Sequence, residues 1–426
     1  MASINGKCRE YRLDNGLFVA LQNTRTRTAA IKLRVNYGYA HEKNGEEGLA
    51  HFVEHCIITA GSSKYDPKTA DMIRSSFGYG QFDATTFIDK TVFSGTILAS
   101  DLISFIDYIS DSVLNPRFDQ EMVDGERNRV LREIYDKKSE PGYLLSIEFA
   151  KSFYRGHPRG IFGLGKEEII INVGVENLRR FHSKGYCPNN MELIVVGELP
   201  KNIETIVENH FGIFPVGNDS KRFFPRLKPL TEKTVLHMPM PGALNTDNID
   251  ESSATVSLSF IGPVDGDDDE FAMRAVNRIL AGDINSLLYQ NIGLKKGLAY
   301  QVGANMVGKY NVGECWIYAK VPARRIDEAI EGIFEVIEIM KTRMVNDDVL
   351  KSTKKRLIYN IAKALESNEG RMSLIELKLD EGLTPKLLLE RCNTITPKRI
   401  IDVANKYLPN KETGKYVLSI SDPFKR

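Results

Sequence analysis

The sequence contains no apolar run long enough to span a membrane, so we expect no membrane partner. Its five cysteines are scattered and form no C-x-x-C pair, which favours reduced thiols over a cysteine-based zinc site. The N-terminal residues lack the apolar core of a secretory signal. These absences predict a soluble protein of the cytoplasm.

No sign of charge dominates the chain, because 57 Lys and Arg residues stand against 56 Asp and Glu residues. This balance gives no general attraction to nucleic acid, and we expect no nucleic-acid partner. The hydrophobic share of 42% and the charged share of 27% are typical of a globular protein. A length of 426 residues exceeds one hydrophobic core, which predicts at least two domains.

Helical and strand periods alternate along the first half. Residues 31–37 alternate between apolar and polar side chains, which predicts a strand with one buried face. Residues 101–114 follow helical spacing, and Pro116 closes that element. Residues 193–196 form a short apolar run that predicts a buried strand.

The second half resembles a restart of the first. A turn-rich stretch at 216–233 predicts a linker between domains at 1–215 and 234–426. Beyond it, residues 255–260 alternate like a strand, and an amphipathic helix is expected from about Glu270. Mixed helices and strands without strict alternation favour an α+β class with two similarly built halves.

The stretch from Gly48 to Ile57 carries the clearest chemistry. Its apolar residues form one helical stripe, and His51 and His55 lie one turn apart on the other face, with Glu54 beside them. Two imidazoles at this spacing can hold one zinc ion, and the carboxylate can take a proton from water on the metal. The alternative is a solvated helix face that contains two histidines by chance.

A second helical segment offers a further ligand. Glu126 and Glu133 are two turns apart and project from the same side. One carboxylate can bind zinc while the other orients a histidine ring. The alternative is a pair of surface carboxylates that form ion pairs with neighbouring arginines.

Residues 160–167 nearly spell a phosphate-binding loop. Glu167 stands where the Ser or Thr that binds Mg²⁺ is needed, and no apolar strand leads into the segment. Nucleotide binding is therefore not expected.

The sequence resembles the inverted-zincin peptidases of the insulinase, pitrilysin and mitochondrial-processing-peptidase group, which carry H-x-x-E-H. Further segments are similar to family blocks and occur in family order: 15–19, 45–52, 115–118, 126–134 and 186–191. The resemblance is strong over roughly residues 10–200 and fainter beyond. It implies two halves, each a mostly antiparallel sheet packed with helices.

The resemblance also implies the roles of the site residues. His51, His55 and Glu133 would bind one zinc ion per chain, Glu54 would be the general base, and Glu126 would support the ligands. The implied activity is zinc-dependent endopeptidase cleavage of peptides. The alternative is a non-catalytic structural or peptide-presenting subunit of a larger assembly.

Two positions depart from the family pattern. Family members hold the substrate along a strand edge that carries Asn-Ala-x-Thr, and Asp83 stands here in the Asn place, followed by Ala84. Pairing with the Ala84 main chain remains possible, and Asp83 favours basic or neutral substrate residues nearby. The family's substrate-binding Tyr is kept as Tyr300, but Gly293 occupies the place of its Arg.

The missing Arg bears on the partner. It suggests that this chain is the metal-bearing member of a heterodimer with a homologous chain, whereas a homodimer using Tyr300 is the competing arrangement. A merely packed tyrosine is the alternative for Tyr300.

Overall fold

The computed structural model describes residues 8–78, 82–140, 142–218, 223–239 and 252–423. They form two β-sheets, each packed with helices, and each sheet is mostly antiparallel. The α+β class is therefore confirmed. Within these residues, no helix is long and apolar enough to cross a bilayer.

The first sheet has six strands in the order β1-β2-β6-β3-β5-β4. Only the β2–β6 pair is parallel, and the other neighbours are antiparallel. The strands are β1 (Arg9–Arg12), β2 (Phe18–Asn23), β3 (Thr28–Val35), β4 (Phe82–Thr86), β5 (Thr91–Leu98) and β6 (Met191–Gly197).

Within the described residues, the first half of the sequence also forms eight α-helices. They are α1 (Leu49–Thr59), α2 (Pro67–Ser76), α3 (Leu102–Leu114), α4 (Gln120–Ser139), α5 (Tyr143–Tyr154), α6 (Glu167–Asn172), α7 (Val175–Gly185) and α8 (Ile203–Phe211). The predicted apolar stripe of α1 is fully buried in the main core, together with α3 and the inner faces of β3 and β6. Packing of this stripe leaves the histidine face of α1 outside the core.

As far as the structure describes it, the second sheet has five strands in the order β7-β11-β8-β10-β9. They are β7 (Thr234–Pro239), β8 (Ser253–Ile261), β9 (Gln301–Val307), β10 (Glu314–Pro322) and β11 (Val417–Asp422). The α-helices are α9 (Glu270–Ala281), α10 (Ile326–Thr342), α11 (Asp347–Ala364), α12 (Asn368–Glu381), α13 (Pro385–Asn393) and α14 (Pro397–Tyr407), and a π-helical segment spans Tyr289–Lys295.

Strand order shows that the two halves repeat one plan. The order β2-β6-β3-β5-β4 corresponds position by position to β7-β11-β8-β10-β9, and in each sheet only the first of these pairs is parallel. The repeat predicted from the two alternating strands is therefore present in the topology.

The chain divides into two compact units that differ from the predicted domains 1–215 and 234–426. The chain passes from the first unit to the second after Phe223, inside the predicted linker, of which residues 219–222 lie outside the described part. However, residues 138–160 belong to the second unit and residues 363–380 to the first. Each sequence half thus contributes one helix, α5 or α12, to the unit built mainly by the other half.

Apolar contacts explain this exchange. Met372 and Ile375 of α12 pack on the face of the first sheet that turns away from the main core, against Ala20, Ala30, Ile194 and Val196. In the second unit, Phe153 and Tyr154 of α5 pack with Leu227, Leu230, Val312 and Val417.

The covering helix also changes the character of β3. The predicted strand at 31–37 is present as Thr28–Val35, but the expectation of a single buried face is wrong, since Arg34 is only 1% exposed. Its guanidinium pairs with Asp380 of α12 and lies 3.2 Å from Glu192. The Lys90 ammonium lies 3.1 Å from Asp380. The outer face of this sheet is therefore buried by a helix that is distant in sequence.

Candidate metal centre

Helix α1 presents its two histidines edge to face. Their ring centroids are 4.5 Å apart with planes at 76°, and the Nε2 atoms of His51 and His55 lie 3.1 Å apart. Both side chains are mostly buried but keep an accessible edge. The predicted stacking of the two imidazoles on one helix face is present.

Helix α4 brings both predicted carboxylates to this pair. One oxygen of Glu133 lies 3.4 Å from Nε2 of His51, and the other lies 3.5 Å from Nε2 of His55. A carboxylate oxygen of Glu126 lies 3.2 Å from Nδ1 of His55, on the far side of that ring. Residues of two helices that are distant in sequence therefore converge, as the sequence interpretation requires.

The spacing of these atoms fits a zinc ion. Ligand atoms of a tetrahedral site with bonds of about 2.0–2.1 Å are about 3.3–3.4 Å apart. The nitrogens of His51 and His55 and the oxygens of Glu133 are separated by 3.1–3.5 Å. Two imidazoles and a carboxylate are also a donor set that zinc accepts, with a fourth position left for water. These three residues are therefore able to hold the metal.

Local electrostatics favour a neutral His51. Burial and the neighbouring His55 lower the pKa of His51 to about 3. Burial also acts to lower the pKa of His55, but the hydrogen bond with Glu126 and the charge of Glu133 outweigh it and raise that pKa. A neutral imidazole is the form that binds metals.

Glu54 lies beside the pair and is 8% exposed. Its Oε2 accepts a hydrogen bond from the Thr86 hydroxyl at 2.6 Å. Burial raises the pKa of Glu54, although the Thr86 hydrogen bond and the charge of His55 oppose the rise. A carboxylate with a raised pKa is better suited to accept and return a proton near neutral pH.

Thr86 is a contact that the sequence interpretation missed as a site residue. It ends β4, which lies at one edge of the first sheet as the described residues form it. The available signal was its place as the Thr of the Asn-Ala-x-Thr pattern that begins here at Asp83. The structure adds a reason, because its hydroxyl fixes the Glu54 carboxylate.

The outer edge of β4, which pairs with no other strand among the described residues, lies next to Glu54. The hairpin closes with the Phe87 N–H bonded to the Lys90 carbonyl, so alternation along the strand turns the main-chain groups of Ala84 away from β5. The Ala84 N–H instead donates to the Asp83 carboxylate at 3.0 Å. The exposed Asp83 therefore covers a donor that an added strand would use.

Tyr300 belongs to the second unit and directly precedes β9. Its side chain is 65% exposed, which contradicts the alternative of a packed tyrosine. The Lys320 ammonium lies 5.6 Å from the centre of its ring. Gly293 lies in the π-helical segment.

The second half does not repeat the metal set in the helix that corresponds to α1. Helix α9 has a buried stripe of the same spacing, formed by Ala272, Ala275, Val276, Ile279 and Leu280. Matching the two stripes puts Arg274, Asn277 and Arg278 in the places of the two histidines and the glutamate. The residues of α9 therefore offer no equivalent zinc ligands.

Two family models match the chain. The model described as "Insulinase (Peptidase family M16)" matches residues 18–161, which include the histidine site. The model described as "Peptidase M16 inactive domain" matches residues 172–357. The first matched range contains α1 with its two histidines and Glu54. The second contains α9, in which other residues take their places.

Relatives match over nearly the whole length. The uncharacterized zinc protease YmxG of Bacillus subtilis is 25% identical over 421 residues, covering 97% of this chain and 98% of the relative. An uncharacterized zinc protease of Mycobacterium leprae is 26% identical over 418 residues, covering 97% and 92%. Among solved structures, a protease from Helicobacter pylori shares the fold with a TM-score of 0.83 at 20% identity, covering 98% of this chain and all of that chain.

Proposed function

Because this chain belongs to peptidase family M16, we propose that it is a zinc endopeptidase whose metal ligands are His51, His55 and Glu133. The observation that carries the proposal is the convergence of their nitrogen and oxygen atoms at 3.1–3.5 Å beside Glu54. The relatives named as zinc proteases support the same metal.

Each residue around the ligands has a separate task. A zinc ion held here would acidify a bound water near neutral pH and polarise the scissile carbonyl. Glu126 accepts a hydrogen bond from the Nδ1–H of His55, so that Nε2 of that ring carries the lone pair that would bind the metal. Thr86 holds the Glu54 carboxylate in one orientation.

Glu54 is the proposed general base. It takes a proton from the attacking water and delivers it to the amine that leaves when the peptide bond breaks. Partial burial keeps bulk water from competing for this carboxylate, and its raised pKa makes the return of the proton easier. The same side chain therefore serves both proton transfers.

The substrate is proposed to be a peptide that adds as a strand to β4. The outward main-chain groups of Ala84 offer the pairing that strand addition needs. Asp83 must release the Ala84 N–H first, and its carboxylate then favours a basic or neutral residue of the peptide. Substrate binding by Asp83 and Ala84 is part of the proposal.

The proposed assembly is a heterodimer in which a homologous chain supplies the missing Arg. The competing arrangement is a homodimer that uses Tyr300. A location in the cytoplasm stays a prediction from the sequence. A non-catalytic subunit is the second candidate function, since one family model is named for an inactive domain and α9 lacks the ligands. The intact set on α1 and α4 favours the enzyme.

Zinc content and peptide turnover of Glu54→Gln test the proposal. We expect about one zinc ion per chain in both wild type and variant, with turnover reduced at least about 100-fold in the variant. Glu121→Gln, an exposed carboxylate of α4, is the matched control and should keep full activity. Unchanged turnover in Glu54→Gln, or a wild type that binds no zinc, would contradict the proposal.

A further inference from the structure

The N-terminus of α1 lacks a cap of its own. Its N-cap residue is Gly48, at φ 102°, and contributes no side-chain hydrogen bond. The first N–H groups of a helix have no partner within the helix and need an acceptor elsewhere. The Ala50 N–H finds it in the Glu42 carboxylate, at 2.9 Å from Oε1. A side chain outside the helix therefore caps the turn that carries His51.

The surroundings of Glu42 fit this role better than an ion pair. Burial raises the pKa of Glu42 to about 8, and the charges of Glu46 and Glu47 act in the same direction. The N–H groups of Ala50 and Gly48 oppose the rise. The helix end stabilises the ionised form of this carboxyl group, against the effect of burial.

A second segment holds the residues just before α1. The Lys166 N–H donates to the Glu47 carbonyl at 3.2 Å, and the Lys166 ammonium pairs with the Glu47 carboxylate at 2.8 Å. Gly165, at φ 84°, approaches Gly48 so closely that a Cβ on it would lie 2.3 Å from the Gly48 Cα. The segment that nearly spells a phosphate-binding loop thus packs against the start of the histidine helix.

The two histidines differ in how their rings are held. Nδ1 of His55 is held by Glu126 at 3.2 Å. Nδ1 of His51 is buried and has no hydrogen-bond partner among the described residues. The direction of the His51 ring therefore depends on where the backbone of the first turn is placed.

We propose that Glu42 is a positioning residue for the metal centre: by capping the Ala50 N–H, it fixes the first turn of α1 and the place of the His51 ring. The inference rests on the proposed zinc site. It assigns to Glu42 the task for His51 that Glu126 performs for His55, carried out through the backbone.

Two variants and a control separate the cap from general destabilisation. Glu42→Ala removes the acceptor, whereas Glu42→Gln keeps a carbonyl oxygen at the same distance. Glu46→Ala is the matched control, since the Glu46 carboxylate accepts from the Lys43 N–H and not from α1. The readouts are zinc affinity, by competition with a chelating dye, and amide hydrogen exchange at residues 50–52 in zinc-free protein.

We expect Glu42→Ala to weaken zinc binding about 10-fold or more, which is typical of a lost supporting contact. Its amides at 50–52 should exchange at least about 10-fold faster. Glu42→Gln should remain within about 3-fold of wild type in both readouts, and Glu46→Ala should be unchanged. Should Glu42→Ala fail to fold, Glu42→Asp replaces it, because that side chain keeps the carboxyl group but is one carbon too short to reach Ala50.

Equal zinc affinity and exchange in wild type and the variant that cannot reach Ala50 would overturn the inference. So would a Glu42→Gln protein that loses as much as Glu42→Ala. If the proposed function is wrong, the wild type shows no peptide turnover. The amide exchange rates of residues 50–52 still measure whether Glu42 caps the helix in that case.

Discussion

Replacing Arg34 by methionine tests how firmly α12 is held to the first sheet. The guanidinium is 1% exposed and pairs with Asp380 of that helix and with Glu192 of β6. Methionine keeps most of the apolar stem but removes the charge. Both carboxylates then lose their closest common partner.

The expected loss follows from what remains around the two acids. Removing one partner of a buried ion pair costs about 3–5 kcal/mol, because the other charge stays behind. Lys90 still lies 3.1 Å from Asp380, and the side chain of Glu192 is partly accessible, so the cost should be near the lower end. A loss of about 3 kcal/mol lowers the melting temperature of a unit of this size by about 6–12 °C.

Thermal and urea unfolding, followed by circular dichroism, measure the change. Arg9→Met is the control, since Arg9 and Glu204 form an ion pair of which both members are half-exposed, worth about 0.5 kcal/mol. Adding Asp380→Asn to Arg34→Met should recover part of the loss, because Asp380 then carries no charge and only Glu192 is left without its arginine. An Arg34→Met protein as stable as the Arg9→Met control would refute the reasoning.

Three further predictions concern two residues of the edge strand β4 and the ion pair between Arg34 and Asp380. Thr86→Val should lower kcat/KM about 10-fold with zinc content unchanged, since the general base loses the hydrogen bond of the hydroxyl and keeps that of the Thr86 backbone. The exposed Thr85→Val should not lower it, and equal rates in Thr86→Val and wild type would contradict the role of the hydroxyl. Asp83→Asn should reduce the ratio of kcat/KM for lysine- over glutamate-containing peptides, and an unchanged ratio would remove Asp83 from specificity. Burial acts to raise the pKa of Asp380, but Arg34 and Lys90 outweigh it and lower that pKa. The ionised Asp380 therefore contributes fully to the stability of the folded state above the ordinary Asp pKa, and this contribution is lost as the pH falls through the lowered pKa. Urea titrations at decreasing pH should show a smaller loss of unfolding free energy in Asp380→Asn than in wild type.

Local periodicity was enough to predict the elements that carry the site. The helical stripe around His51 and His55 and the two-turn spacing of Glu126 and Glu133 are properties of short windows. That these two helices meet is a long-range contact, which came from the family resemblance and not from spacing.

The features that sequence reasoning missed are contacts made outside regular secondary structure periods, and most of them join distant segments. Burial of Arg34 depends on α12, whose few apolar residues, such as Met372 and Ile375, look like those of an ordinary surface helix. The hydrogen bond from Thr86 joins it to Glu54, 32 residues earlier in the chain. The cap by Glu42 spans only eight residues, but the loop between Glu42 and α1 has no periodic pattern that indicates it. Helical or strand periodicity does not reveal such partners.

The exchange of α5 and α12 between the halves bears on synthesis of the chain. Domains generally fold in order as the N-terminal part leaves the ribosome. Here the outer face of the first sheet stays uncovered until residues 368–381 have been made, late in translation. A nascent chain that stops short of this helix exposes an apolar surface and an arginine without its Asp380 partner, which marks truncated products for chaperones and proteases.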